Sequence, residues 1–129
     1  MPLVLIVDDD AHVREFLHLA FVANGFKAIS CDSGEQALRL VKKSLPDLIV
    51  LDAIMPKLDG YQVMWHLQND PDTRKIPTMF LTSRDRAQDV DFGIDLGAKH
   101  YMTKPFQMAD VIAQANRLLK GSPEVSALN

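Results

Sequence analysis

Five times along this chain a short apolar run gives way to a segment with helical spacing, and that alternation leaves few folds open. The runs fall at residues 3–7, 26–30, 48–51, 78–81 and 100–103. Between them, apolar residues recur three and four positions apart. Val13, Phe16, Leu17, Ala20 and Phe21 form the first such set, Ala37, Leu38 and Val41 the second, and Val63, Met64 and Leu67 the third. Two further helices are expected at residues 84–96, closed by Gly97, and at 106–120, stopped by Gly121. Asp10 and Ser33 stand where helix caps belong, and Asn24-Gly25 where a helix should stop. Gly93, inside the fourth helical segment, costs roughly 1 kcal/mol against alanine and predicts a comparatively soft helix. The first and third runs are apolar throughout, as strands covered on both faces require. Strand-then-helix units with short links and right-handed crossovers give an α/β fold, a doubly wound five-stranded parallel sheet with five helices. The chain has 129 residues and no repeat or low-complexity tract, so one domain is expected through residue 121. The last stretch, SPEVSALN at 122–129, reads as a flexible tail.

Where these runs end decides what the sheet can do. The first ends at Asp8, Asp9 and Asp10, the third at Asp52, the fourth at Thr82-Ser83 and the fifth at Lys104-Pro105. In a doubly wound sheet the carboxyl ends of the strands share one edge, where ligands bind. Three carboxylates brought together there repel, and a hard cation relieves them; Mg2+ accepts carboxylates, a carbonyl, retained waters and a phosphate oxygen. The lysine and hydroxyl beside them suit an anion that arrives with the chemistry, and a carboxylate can itself take a phosphoryl group. Each residue also has a plainer reading. The three early acids suit a helix start, Thr82 could cap the fourth helix, and Lys104 could be a surface charge before a turn. Their joint occurrence at successive strand ends favours a magnesium-dependent phosphoryl acceptor.

Composition narrows the partners. Fourteen Lys and Arg against 17 Asp and Glu give a net charge of −3, which offers no general electrostatic case for nucleic acid. A single cysteine, Cys31, excludes an internal disulfide framework and fits a reducing compartment. The opening MPLVLIVDDD has no basic region, and its apolar run is too short to cross a membrane. The expected setting is cytoplasmic, without membrane or direct nucleic-acid binding.

The pieces VDDD at 7–10, LDAIMPKLDG at 51–60, FLTS at 80–83 and YMTKPF at 101–106 resemble the receiver domain of bacterial two-component response regulators. The resemblance runs from Leu3 to about Lys120, with 30 positions from Asp52 to Thr82 and 22 from Thr82 to Lys104. In its size the chain is similar to single-domain regulators of the chemotaxis type. The resemblance implies a flavodoxin-like strand order, 2-1-3-4-5. It implies that Asp52 is the phosphoacceptor, served by a sensor histidine kinase or phosphotransfer protein, without turnover as a classical enzyme. Asp9, Asp52 and the Ile54 carbonyl would bind Mg2+ (or Mn2+), with Asp8 acting through a coordinated water. Lys104 would pair with a phosphoryl oxygen and Thr82 would move to bond another. Tyr101 would turn inward with Thr82 as the aromatic switch, and Lys104-Pro105 would be cis. Ser83 is small where the phosphoryl group must enter. Ile54 and Arg84 would flank that group: Ile54 cannot orient an attacking water, so a long-lived phosphoryl group and slow self-catalysed dephosphorylation are expected. The downstream partner would dock on the face of the last two helices. Residues 97–100 carry no acid, and Gln114 stands where one DNA-binding subfamily has arginine, so that subfamily's charge-paired dimer is not expected.

Three other readings compete. A pseudo-receiver would keep the fold and work without phosphorylation, but Asp9, Asp52, Thr82 and Lys104 are all present. An aspartate phosphatase would need a cap domain and a later acidic pair. A flavin carrier would need a hydroxyl- and glycine-rich phosphate loop where this chain has acids that would repel the cofactor.

Overall fold

The computed structural model of the protein describes residues 1–121, and the expected tail at 122–129 lies outside them. The strands are β1 (Leu3–Val7), β2 (Lys27–Cys31), β3 (Leu48–Leu51), β4 (Thr78–Thr82) and β5 (His100–Thr103). The helices are α1 (Ala11–Ala23), α2 (Gly34–Ser44), α3 (Gly60–Gln68), α4 (Ala87–Asp95) and α5 (Met108–Leu119). All four strand pairings are parallel and the order is β2-β1-β3-β4-β5, as expected.

Alternate residues of the inner strands feed two separate apolar layers, as the period-two geometry of a strand demands. Leu5, Val7, Ile49, Leu51 and Phe80 pack with Ala37 and Val41 of α2 and with Val63, Met64 and Leu67 of α3. Val4, Ile6, Leu48, Val50, Met79 and Leu81 face the other way, onto Leu17 and Phe21 of α1 and Val111, Ala115 and Leu118 of α5. Phe16, which helical spacing had placed inward, is 55% exposed. Its ring reaches sideways to Phe106, 6.5 Å away, instead of down into the sheet.

The helix boundaries depart from expectation where side chains or backbone bonds override periodicity. Asp10 caps α1 as expected, accepting from the amides of His12 and Val13. At the other end Asn24 keeps a negative φ of −106°, and Gly25 takes the left-handed turn, at φ +88°. Helix α3 begins one residue early because Asp59 and Gln62 form a reciprocal capping box. Helix α4 starts at Ala87 rather than at Arg84, and its N-cap Arg86 makes no side-chain capping bond. Thr82 therefore does not cap it; it is the last residue of β4 and fully buried.

Candidate functional site

Strand register alone brings the expected residues together. Val7 of β1 pairs with Leu51 of β3, so Asp8 and Asp52, each the next residue, leave the sheet side by side. The Asp52 amide donates to the Val7 carbonyl at 2.9 Å and holds that alignment. On the other flank Thr82 pairs with Thr103, and the Lys104 amide donates to the Thr82 carbonyl at 2.8 Å. The Lys104–Pro105 peptide is cis.

The carboxylates of Asp8, Asp9 and Asp52 each place an oxygen within 4.8 Å of the other two. Asp8 and Asp52 are buried, at 2% and 6% exposure, whereas Asp9 faces solvent. Lys104 Nζ reaches between the buried pair, 2.9 Å from Asp8 Oδ2 and 3.4 Å from Asp52 Oδ2. The remaining oxygens are engaged by backbone: Asp8 Oδ1 accepts from the Asp10 amide at 2.9 Å, and Asp52 Oδ1 from the Ile54 amide at 3.1 Å. Burial pushes the Asp8 carboxyl above its ordinary range, more than the Asp10 amide and Lys104 pull it down. Lys104 loses hydration by burial, but its bonds and charge attraction to Asp8 and Asp52 outweigh that, and its pKa is raised. The lysine is thus held cationic against a cluster that carries more negative charge than it can neutralise. An all-oxygen set of three carboxylates open to solvent at Asp9 fits a hard divalent cation.

Ile54, Ser83 and Arg84 follow the strand ends at this edge, and Tyr101 lies behind it on β5. Ile54 is 45% exposed beside Asp52, and Ser83 is exposed after Thr82. The Arg84 guanidinium lies 3.6 Å from Asp89 Oδ1, and the Arg84 amide donates to Thr82 Oγ1 at 3.3 Å. Tyr101 is half-buried on β5, and its hydroxyl donates to the Arg84 carbonyl at 2.8 Å.

Three contributors escaped sequence reasoning. Arg14 on α1 donates from Nη1 to the Asp8 carbonyl at 2.9 Å and so fixes the peptide that leads into Asp9. Gly60 lets the start of α3 press against the Asp52–Ala53 backbone. Tyr61 places its hydroxyl 2.9 Å from that of Tyr101. No periodicity marks these residues, because each acts through a contact made only once the helices dock.

Comparison with known proteins agrees with this arrangement. A family described as "Response regulator receiver domain" matches residues 4–116. The chain is 38% identical over 121 residues to the response regulator MprA of Mycolicibacterium vanbaalenii, covering 93% of this chain and 52% of that protein. It is 36% identical over 126 residues to a probable transcriptional regulator, ycf27, of Porphyridium aerugineum, covering 98% and 51%. The chain thus spans about half the length of the curated relatives it matches. Among solved structures, the receiver domain of Francisella response regulator 1452 superposes with a TM-score of 0.89 at 31% identity, covering 95% of this chain and 99% of that one. A putative response regulator from Chloroflexus aurantiacus gives 0.88 at 32% identity, covering 92% and 98%.

Proposed function

This chain belongs to the response regulator receiver family, and from that premise we propose that it is a phosphorylation-dependent signalling switch with Asp52 as its acceptor. The observation that carries this reading is the Lys104 ammonium lodged between two buried carboxylates of a three-carboxylate cluster. Such a lysine is a ready counter-ion for an incoming phosphoryl oxygen. An Asp52 carboxylate oxygen attacks the phosphorus of a phosphohistidine on a histidine kinase or phosphotransfer protein. The P–N bond breaks, its electron pair returns to the imidazole, and that nitrogen takes a proton from solvent.

Asp8, Asp9 and Asp52, with the Ile54 carbonyl, would hold Mg2+ (or Mn2+). When bound, the ion supplies the positive charge that lets an anionic phosphoryl group enter an anionic cluster. Lys104 then pairs with one phosphoryl oxygen and Thr82 donates to another, giving up its bond from the Arg84 amide. Ser83 leaves the entry open. Ile54 presents no group that could orient an attacking water, and Arg84 is turned towards Asp89, so the aspartyl phosphate is long-lived. Tyr101 follows Thr82, and the change alters affinity for a protein partner at the face of α4, β5 and α5. Direct nucleic-acid binding and membrane contact form no part of this reading. Among the described residues no helix is long and apolar enough to cross a membrane.

Intact mass after treatment with a small acyl phosphate, with and without Mg2+, tests the acceptor. One phosphoryl group should be added to the native chain only when Mg2+ is present, and none to Asp52→Asn. Following the mass over time reads the lifetime directly. No addition to the native chain under any condition would overturn the reading and favour a pseudo-receiver; addition to Asp52→Asn would place the acceptor elsewhere.

A further inference from the structure

The aromatic cluster behind the site contains a second tyrosine that the switch reading leaves without a task. The Tyr61 ring lies 5.2 Å from Phe80 and 5.1 Å from Phe92, between centroids, and Phe80 in turn lies 5.4 Å from Tyr101. The two tyrosine hydroxyls are 2.9 Å apart. Proton bookkeeping fixes the direction of that bond. The Tyr101 proton is committed to the Arg84 carbonyl, which has none to give, so Tyr61 donates and the Tyr101 oxygen accepts. The Arg84 amide, on the other side of the same residue, donates to Thr82. A line of hydrogen bonds therefore runs from α3 through β5 to the loop after β4 and ends at the Thr82 hydroxyl. Tyr61 is anchored independently of that loop, since α3 starts from its own capping box and Gly60 seats on the Asp52–Ala53 backbone.

We infer that Tyr61 is a positioning residue for Tyr101: its hydroxyl holds the Tyr101 ring on the Arg84 carbonyl and biases the chain towards the loop-bound state before any phosphoryl group arrives. This inference rests on the switch reading for its consequence but not for its test. Without the Tyr61 donor, Tyr101 retains one hydrogen bond instead of two, and its ring is only half-buried. The loss of one such bond shifts the ratio of loop-bound to released Tyr101 by about fivefold. Tyr61 thus sets how far the switch is already thrown in the resting chain, and so how large a change phosphorylation can add.

The chain contains only two tyrosines, Tyr61 and Tyr101, which makes the test direct. Incorporating 3-fluorotyrosine gives two fluorine resonances in the unphosphorylated native chain and one, from Tyr101, in Tyr61→Phe. The Tyr101 resonance should move towards its solvent-exposed position in Tyr61→Phe, and should remain near its native position in Phe92→Leu, which loosens Tyr61 packing but keeps the hydroxyl. A Tyr101 resonance unchanged in Tyr61→Phe would overturn the inference, as would an equal shift in Phe92→Leu, which would assign the change to packing. Should Tyr61→Phe fail to fold, Tyr101→Phe read at the Tyr61 resonance tests the same bond from its other end. If Asp52 accepts no phosphoryl group, the switch reading fails while this measurement stands.

Discussion

A Cβ at position 60 would run into the Asp52 carbonyl oxygen and sit 2.8 Å from the Ala53 Cα, both of them backbone atoms with nowhere to go. The Gly60 amide donates to the Ala53 carbonyl at 3.0 Å, so α3 is fastened to the very loop that carries the acceptor. Gly60→Ala should therefore cost about 1–3 kcal/mol in chemical denaturation, as overpacking against backbone does. It should also slow phosphoryl uptake at Asp52, read from the mass time course. Unchanged stability would mean the loop can yield. The sequence shows Asp59-Gly60 only as a turn pair, and nothing in it tells a turn glycine from one that lets two segments touch. Asp8, Asp52, Thr82 and Lys104 were legible for the opposite reason. A polar residue that halts an apolar run has few structural uses, whereas Arg14 and Tyr61 sit among ordinary helix-face residues.

At the scale of elements, the three inner strands were legible because a continuous apolar run has one way to be buried; α4 was legible as a helix, but its start was not. Only Gly93 of α4 is buried, while Phe92 and Ile94 are 52% and 42% exposed, so its periodicity gives no clear face. Its start is set by bonds instead: the Arg84 amide is turned to Thr82 and the Arg84 carbonyl to Tyr101. Helix propensity alone makes Gly93 a flaw that alanine would mend by about 1 kcal/mol. Packing reverses the sign. An added Cβ would lie 2.9 Å from Tyr101 Cδ2 and Cε2 and 3.1 Å from Phe80 Cε2. Phe80 is fully buried and cannot retreat, so the Tyr101 ring must, losing its bonds to Arg84 and Tyr61. Gly93→Ala should therefore destabilise the fold by about 1 kcal/mol net, the lost bonds and contacts outweighing the gain in propensity. Urea denaturation decides it, and a stabilised variant would show that the ring has room to spare.

The whole molecule is organised around a sheet edge that stores unbalanced charge. Three carboxylates share one ammonium, and two of the three are buried. Strand order and strand ends made this edge readable in the sequence; its depth of burial was not readable, since it depends on contacts made after folding, such as Gly60 of α3 on the Asp52 backbone and the Arg84 amide on Thr82. The sign of the pH dependence follows from the raised pKa of Asp8. In the window between the ordinary carboxyl value of 3.8 and the raised one, the folded chain binds more protons than the unfolded chain. Asp8 therefore favours folding as pH falls through that window and opposes it above. Lys104 acts at the alkaline end: its contribution is full below 10.5 and is lost as pH rises through its raised value. A divalent cation should relieve the same strain at neutral pH without any proton. Mg2+ at a hundredfold excess over its Kd should stabilise the native chain by about 2.7 kcal/mol, by mass action alone. Asp52→Asn removes a carboxylate that raises the Asp8 pKa, so the variant should lose little stability without Mg2+ and gain far less from adding it. Thermal melts of the two chains over a Mg2+ series measure the difference. Equal Mg2+ stabilisation of both would place the cation elsewhere on the chain and leave the three-carboxylate edge to Lys104 alone.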